Sequence, residues 1–183
     1  MTASESELIE RLHDPKRRDA AFSELVKQYQ ERLYWPIRRI VLYHEDADDV
    51  LQETFIKVHK HIGQFKGESQ LYSWIYRIAT NEALTFLKRR ARIQGLTDSD
   101  LQDKMVANLE ADTFFDGDQA ALLLQRGLTT LPEKQRLVFN LKYFESMTYD
   151  EMSEILETSV GALKASYHHA VKKLENFLND AHS

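Results

Sequence analysis

The 183-residue chain contains no cysteine, which removes disulfides, thiolate zinc sites and a cysteine nucleophile together. The same absence is compatible with a reducing compartment. Glycine and proline are scarce, at six and three residues, as in a chain built mostly of helix. No apolar run approaches the roughly 20 residues needed to span a bilayer. The opening MTASESELIE is acidic and lacks a charged-then-apolar leader pattern. A cytoplasmic protein without membrane insertion is expected. What is present is 43% hydrophobic and 29% charged, enough for one domain or two small ones, neither with a large core.

Constellations for catalysis are wanting as well. His59 and His61 stand two apart on a helical stretch and point different ways, and the adjacent His168 and His169 have the same problem. The acids at 46–49 have no histidine partner at ligand spacing, and a glycine-rich phosphate loop is missing. The expectation is therefore no enzyme, no metal and no cofactor.

A net charge of −5 argues against nucleic acid, but local patches decide where a polyanion binds. From 74 to 95, Arg77, Lys88, Arg89, Arg90 and Arg92 face a single acid, Glu82. From 96 to 120, seven acids are opposed only by Lys104. A basic helix end thus runs directly into an acidic segment.

The C-terminal stretch 156–174, LETSVGALKASYHHAVKKL, opens like a helix that reads DNA. Thr158 and Ser159 are placed to cap its first amides. Val160, Leu163, Tyr167, Ala170, Val171 and Leu174 then form one apolar stripe of helical period. The opposite face carries Gly161, Lys164, Ala165, His168, His169 and Lys172 and no carboxylate, which suits a phosphate-lined groove. Before it, 149–156 reads as a short helix capped by Thr148, and only 157–159 separate the two. Two helices joined so closely make a helix-turn-helix, although Glu157 sits where a turn glycine would be comfortable. A further helix fits at 132–143, with proline in its first turn.

The first half reads as an α-helical domain. Apolar residues keep helical period from Ala21 to Val41, with Pro36 expected to kink or restart the helix near Trp35. A second helix begins at Asp46 (DADDVLQETFIKVHKHI), with Ala47, Val50, Leu51, Phe55, Val58 and Ile62 inward. Residues 63–70 form a glycine-punctuated loop. A third helix over 71–92 is apolar almost all round and is expected to be central. Glu82 falls on its most apolar face without explanation. Residues 96–117 have weak periodicity and read as a linker with one helical turn. The fold class is all-α, two small helical domains joined by an acidic linker, the second containing the helix-turn-helix.

Taken in order, these motifs resemble the sigma-70 family of RNA polymerase sigma factors, specifically its extracytoplasmic-function (ECF) group. Residues 46–58, DADDVLQETFIKV, resemble the segment that binds the clamp helices of the polymerase β′ subunit. FKGES at 65–69, WIYRIATNEA at 74–83 and KRRAR at 88–92 resemble the promoter-melting and −10-reading segment. LPEKQR at 131–136 and the helix-turn-helix resemble the −35-reading domain. The resemblance implies a region 2-like domain at 1–95, an acidic linker at 96–118 and a region 4-like domain at 119–183.

It also implies site residues. Asp49, Gln52, Glu53 and Ile56 would meet core polymerase, with Asp46 and Asp48 only opposing the helix dipole. Melting needs bases drawn from the stack and held on aromatic or apolar side chains. Phe65, Tyr72 and Tyr76 are the candidates, with Lys66 beside them and Trp74 assigned to the core. Arg77, Asn81, Lys88, Arg89, Arg90 and Arg92 would grip the strand. In the recognition helix, Thr158, Ser159, Lys164, Ala165 and His168 would reach bases or groove, and His169 and Lys172 phosphates. Ser166, His169 and Val171 stand where the family commonly has arginine, so weaker −35 binding with a shallower salt dependence is expected. Thr85 replaces a common aspartate. The implied partners are core RNA polymerase (β′ clamp helices and β subunit), promoter DNA and, as in many members of the group, an anti-sigma factor. The alternative is a conventional helix-turn-helix regulator that binds duplex operators without polymerase.

Overall fold

The computed structural model describes residues 3–41, 43–97, 100, 103–107 and 119–181. Every regular element among them is helical. The chain divides into two compact units, Met1–Phe86 and Leu87–Ser183.

The first unit begins with α1 (Ala3–His13), a helix the sequence reading did not separate from the N-terminus. Leu8 and Leu12, four apart, bury its inner face. Its polar side reaches far along the chain: Glu5 accepts a 3.1 Å hydrogen bond from the backbone amide of Leu71, at the start of the last helix of this unit. Asp14 closes the turn after α1, accepting from the Lys16 amide at 3.0 Å and from Arg17 Nε at 2.7 Å. Those hydrogen bonds hold its carboxyl below the usual carboxylate range.

Next comes α2 (Arg18–Val41), which buries Leu25, Tyr29, Leu33, Ile37 and Ile40. Pro36 lies inside this one helix and does not restart it, because the buried residues before and after it hold both halves to one core. The cost of a mid-helix proline is a missing donor for the carbonyl four residues back. That carbonyl belongs to Arg32, and the Tyr72 hydroxyl donates to it at 3.5 Å.

The third helix, α3 (His44–His61), starts two residues before the expected Asp46. It buries Ala47, Val50, Phe55 and Val58 as its period requires, while Leu51 is only half-buried. A single 3-10 turn, Ile62–Gln64, leads into the loop before α4 (Leu71–Gln94). Along α4, Leu71, Ile75, Ala79, Ala83 and Leu87 are buried at steps of four. Asn81, Thr85, Lys88, Arg89, Arg92 and Ile93 are exposed, so the helix is one-sided rather than apolar all round. Glu82 finds its account here: its carboxylate pairs with Lys57 of α3.

The second unit contains a helical stretch at 103–107, then α5 (Gln119–Thr129), α6 (Glu133–Tyr143), α7 (Tyr149–Leu156) and α8 (Val160–Ala181). Its core joins Leu128, Leu131, Phe139, Ala170 and Leu174. Gly127 lets α5 approach α8 closely, since a Cβ there would lie 2.9 Å from Leu174 Cδ2 and 3.0 Å from Phe177 Cδ1. The linker expected at 96–118 falls largely outside the described residues. Among its acids, Asp100 accepts from the Thr97 amide at 2.8 Å and the Thr97 hydroxyl at 2.6 Å.

Candidate nucleic-acid interface

The helix-turn-helix is built by local chemistry. Thr148 caps α7 in a reciprocal box: its Oγ1 accepts from the Glu151 amide at 3.3 Å, and Glu151 Oε2 accepts from the Thr148 amide at 2.8 Å. Glu157 ends α7 in the left-handed region, at φ 49° and ψ 42°, the conformation glycine would adopt at least cost. Ser159 then caps α8, its Oγ accepting from the Ala162 amide at 3.4 Å. The Thr158 hydroxyl makes a different contact, donating to the Leu156 carbonyl at 2.9 Å.

On α8, Leu163, Ala170 and Leu174 are buried, while Lys164, Ala165, His168, His169 and Lys172 are exposed. Ser159 is exposed and Thr158 half-buried at the helix start. The other members of the apolar stripe, Val160, Tyr167 and Val171, are half-buried. Behind the polar face, Phe139 stacks on both Tyr143 and Tyr167, with centroids 5.1 Å and 5.8 Å away. Burial, and then the neighbouring Tyr149 and Tyr143, raise the Tyr167 hydroxyl above its ordinary range.

One contact here had no sequence signal. The Nζ atoms of Lys142 and Lys164 lie 5.0 Å and 5.7 Å from the Tyr149 ring centroid, both within cation–π range. Three residues far apart in sequence thus fix where the Lys164 charge sits.

In the first unit, Asp49, Gln52, Glu53 and Ile56 all lie on the solvent face of α3. Ile56 is 41% exposed, so an apolar side chain stands uncovered among acids and an amide. That mixture suits a partner helix better than bulk water.

The loop 63–70 and α4 carry the other candidates. Phe65 and Tyr76, two of the candidates for holding bases, are 5% and 3% exposed and are packed into the core. Trp74, assigned to the core, is only half-buried and packs its ring 5.2 Å from that of Phe65. The two aromatics have exchanged the places expected of them, because Phe65 drops inward from the loop end while α4 carries Trp74 toward the surface. Tyr72 is half-buried and stacks on Tyr29 at 5.8 Å with a 22° angle between rings. Lys66, Asn81, Lys88, Arg89 and Arg92 are exposed, and Arg77 and Arg90 half-buried. Lys88, in the second unit, also forms a 3.3 Å ion pair with Glu133 of α6. Among the described residues no group of acids, histidines or cysteines is arranged to hold a metal ion.

A mixed polar–apolar face on α3, a basic run at the end of α4 and a capped helix-turn-helix stand together in one chain, as the resemblance to the sigma-70 family implies. The comparisons agree. The sigma-70 region 2 profile matches residues 25–93, and the sigma-70 region 4 profile matches residues 121–174. The RNA polymerase sigma-H factor of Pseudomonas aeruginosa is 31% identical over 95% of this chain and 93% of its own. The ECF RNA polymerase sigma-E factor of Escherichia coli K12 is 28% identical over 92% of this chain and 91% of its own. The chain belongs to the sigma-70 family, in the ECF group of RNA polymerase sigma factors. Its fold is that of CnrH, solved in complex with the cytosolic domain of CnrY, at a TM-score of 0.70, with 21% identity over 98% of this chain and 99% of that one. No described helix is long and apolar enough to cross a membrane.

Proposed function

We propose that this sigma factor docks on core RNA polymerase through the solvent face of α3, with Asp49, Gln52, Glu53 and Ile56 meeting the β′ clamp helices. A region 4-like domain at 119–183 then reads the −35 duplex, and a region 2-like domain at 1–95 captures unpaired −10 bases, joined by the linker at 96–118. The observation that carries the reading is the pairing of two surfaces in one chain: an exposed apolar residue framed by acids on α3, and a face on α8 without a carboxylate from Gly161 to Lys172.

Each surface needs the other. The α8 face offers few cations for phosphate neutralisation, so duplex binding by the isolated protein is weak. Docking on polymerase makes −35 and −10 binding intramolecular and raises their effective concentration. Melting runs without a hydrolysis step of its own: the cost of extruding a base, a few kcal/mol, is met by contacts to the separated strand. The protein acts in the cytoplasm, and by analogy with the sigma factor RpoE of Bartonella quintana, solved with the anti-sigma factor NepR, an inhibitory partner is part of the proposal.

A conventional regulator would bind duplex operators alone. The deciding experiment is an electrophoretic shift of promoter fragments by the protein with and without core polymerase. A shift that requires polymerase supports the proposed dependence of −35 reading on docking; an equal shift by the protein alone contradicts it.

A further inference from the structure

We propose that Arg32 is a further contact to single-stranded DNA, held over the Tyr72 ring so that its guanidinium takes a phosphate of the separated strand. The proposal rests on reading the loop 63–70 and α4 as the −10 surface and adds to it a residue of α2.

The argument begins at Pro36. Having no N–H, it leaves the Arg32 carbonyl without its helical donor, and the Tyr72 hydroxyl occupies that carbonyl at 3.5 Å. The ring is thereby tethered to the residue whose side chain folds over it: Arg32 Cζ lies 4.0 Å from the Tyr72 centroid and 5.8 Å from that of Tyr29. Tyr29 is 3% exposed and stacks on Tyr72 from inside. Buried aromatic surface thus supports an exposed cation.

The second observation is what Arg32 does not do. Among the described residues it has no carboxylate at ion-pair distance, although acids outnumber Lys and Arg, 29 to 24. A guanidinium lying over a ring spends its face and keeps its in-plane N–H fork for an anion. Arg32 is exposed, and α4 places Tyr72 just after the loop 63–70. A charged donor already fixed in one place loses little freedom on binding, which is the condition for an effective phosphate contact.

The test uses reconstituted holoenzyme and a fluorescein-labelled duplex with an unpaired bubble, selected by wild-type holoenzyme from a library randomised in the bubble. Anisotropy titrations at several salt concentrations give affinity and salt slope. Arg32→Gln keeps the stem without the charge, and Arg32→Lys keeps the charge without the fork. We expect Arg32→Gln to bind about tenfold more weakly with a slope shallower by about 0.7, the value for one single-strand phosphate. Arg32→Lys restores the slope but not the full affinity. Both variants co-elute with core polymerase as wild type does. An Arg32→Gln holoenzyme whose slope matches wild type overturns the proposal, even if its melting temperature falls, since packing alone leaves the slope in place; the −10 reading then stands. If wild-type holoenzyme selects no bubble, that reading and this one fail together.

Discussion

Replacing Lys57 should damage the first unit more than replacing its partner Glu82. The two form an ion pair between α3 and α4, with the Lys57 side chain 45% exposed and that of Glu82 only 15%. Fully exposed pairs contribute about 0–1 kcal/mol, whereas breaking a buried one costs about 3–5 kcal/mol because the remaining charge is stranded. This pair lies between those limits, and the charge left behind decides the outcome. Lys57→Met leaves a carboxylate on an apolar helix face, at a cost of about 2 kcal/mol. Glu82→Gln leaves a lysine that reaches water on its flexible stem, at a cost under about 1 kcal/mol. The double variant Lys57→Met/Glu82→Leu strands nothing and returns to within about 1 kcal/mol of wild type. For a unit of this size each kcal/mol moves the melting temperature by about 4–8 °C, so differential scanning calorimetry resolves all three. Equal, small effects of both single variants with no coupling would refute the reasoning and make Glu82 a hydrated surface acid.

Thr148→Ala removes the hydroxyl that accepts from the Glu151 amide while keeping the backbone amide that donates to Glu151 Oε2, and loss of such a side-chain cap costs about 1 kcal/mol; a thermal melt detects it, and unchanged stability would mean that the Thr148 hydroxyl does not cap α7 in solution. Lys172→Ala should weaken −35 duplex binding by holoenzyme and make its salt slope shallower by about 0.9, read by filter binding across salt; an unchanged slope would remove Lys172 from the phosphate contacts. The Asp14 carboxyl is held below its ordinary range chiefly by the Lys16 amide and then by Arg17, so its stabilisation is present above the unfolded value and lost as pH falls through the folded one. Asp14→Asn should therefore melt lower than wild type at pH 7, with the difference closing below about pH 4; a difference independent of pH would contradict this.

Much of this architecture was legible because helical period is a strong signal wherever one face is buried. The inner stripes of α3 and α8, the Thr148 cap and the unusual place of Glu157 all followed from spacing and capping chemistry. What did not follow depends on distant partners. The α1 helix offers only a short apolar stripe at Leu8 and Leu12, and its tie from Glu5 to Leu71 spans 66 residues. The leucines of α5 follow a stretch of weak period, and nothing local marks the close approach at Gly127. Pro36 should break a helix by local rules; tertiary packing and a hydroxyl from α4 override them. Among Phe65, Tyr72, Trp74 and Tyr76 period cannot choose the buried rings, because apolar residues nearly surround that segment. The choice is made by the loop geometry and by α2. Glu82 looked anomalous only until Lys57 was placed against it.

The central claim is that α3 carries the polymerase-docking face of this sigma factor, and size-exclusion chromatography with core RNA polymerase tests it most directly. Wild-type protein should co-elute with the polymerase, and Gln52→Ala/Glu53→Ala should elute separately while keeping its circular dichroism and melting temperature. Co-elution of the folded double variant at wild-type level would contradict the claim.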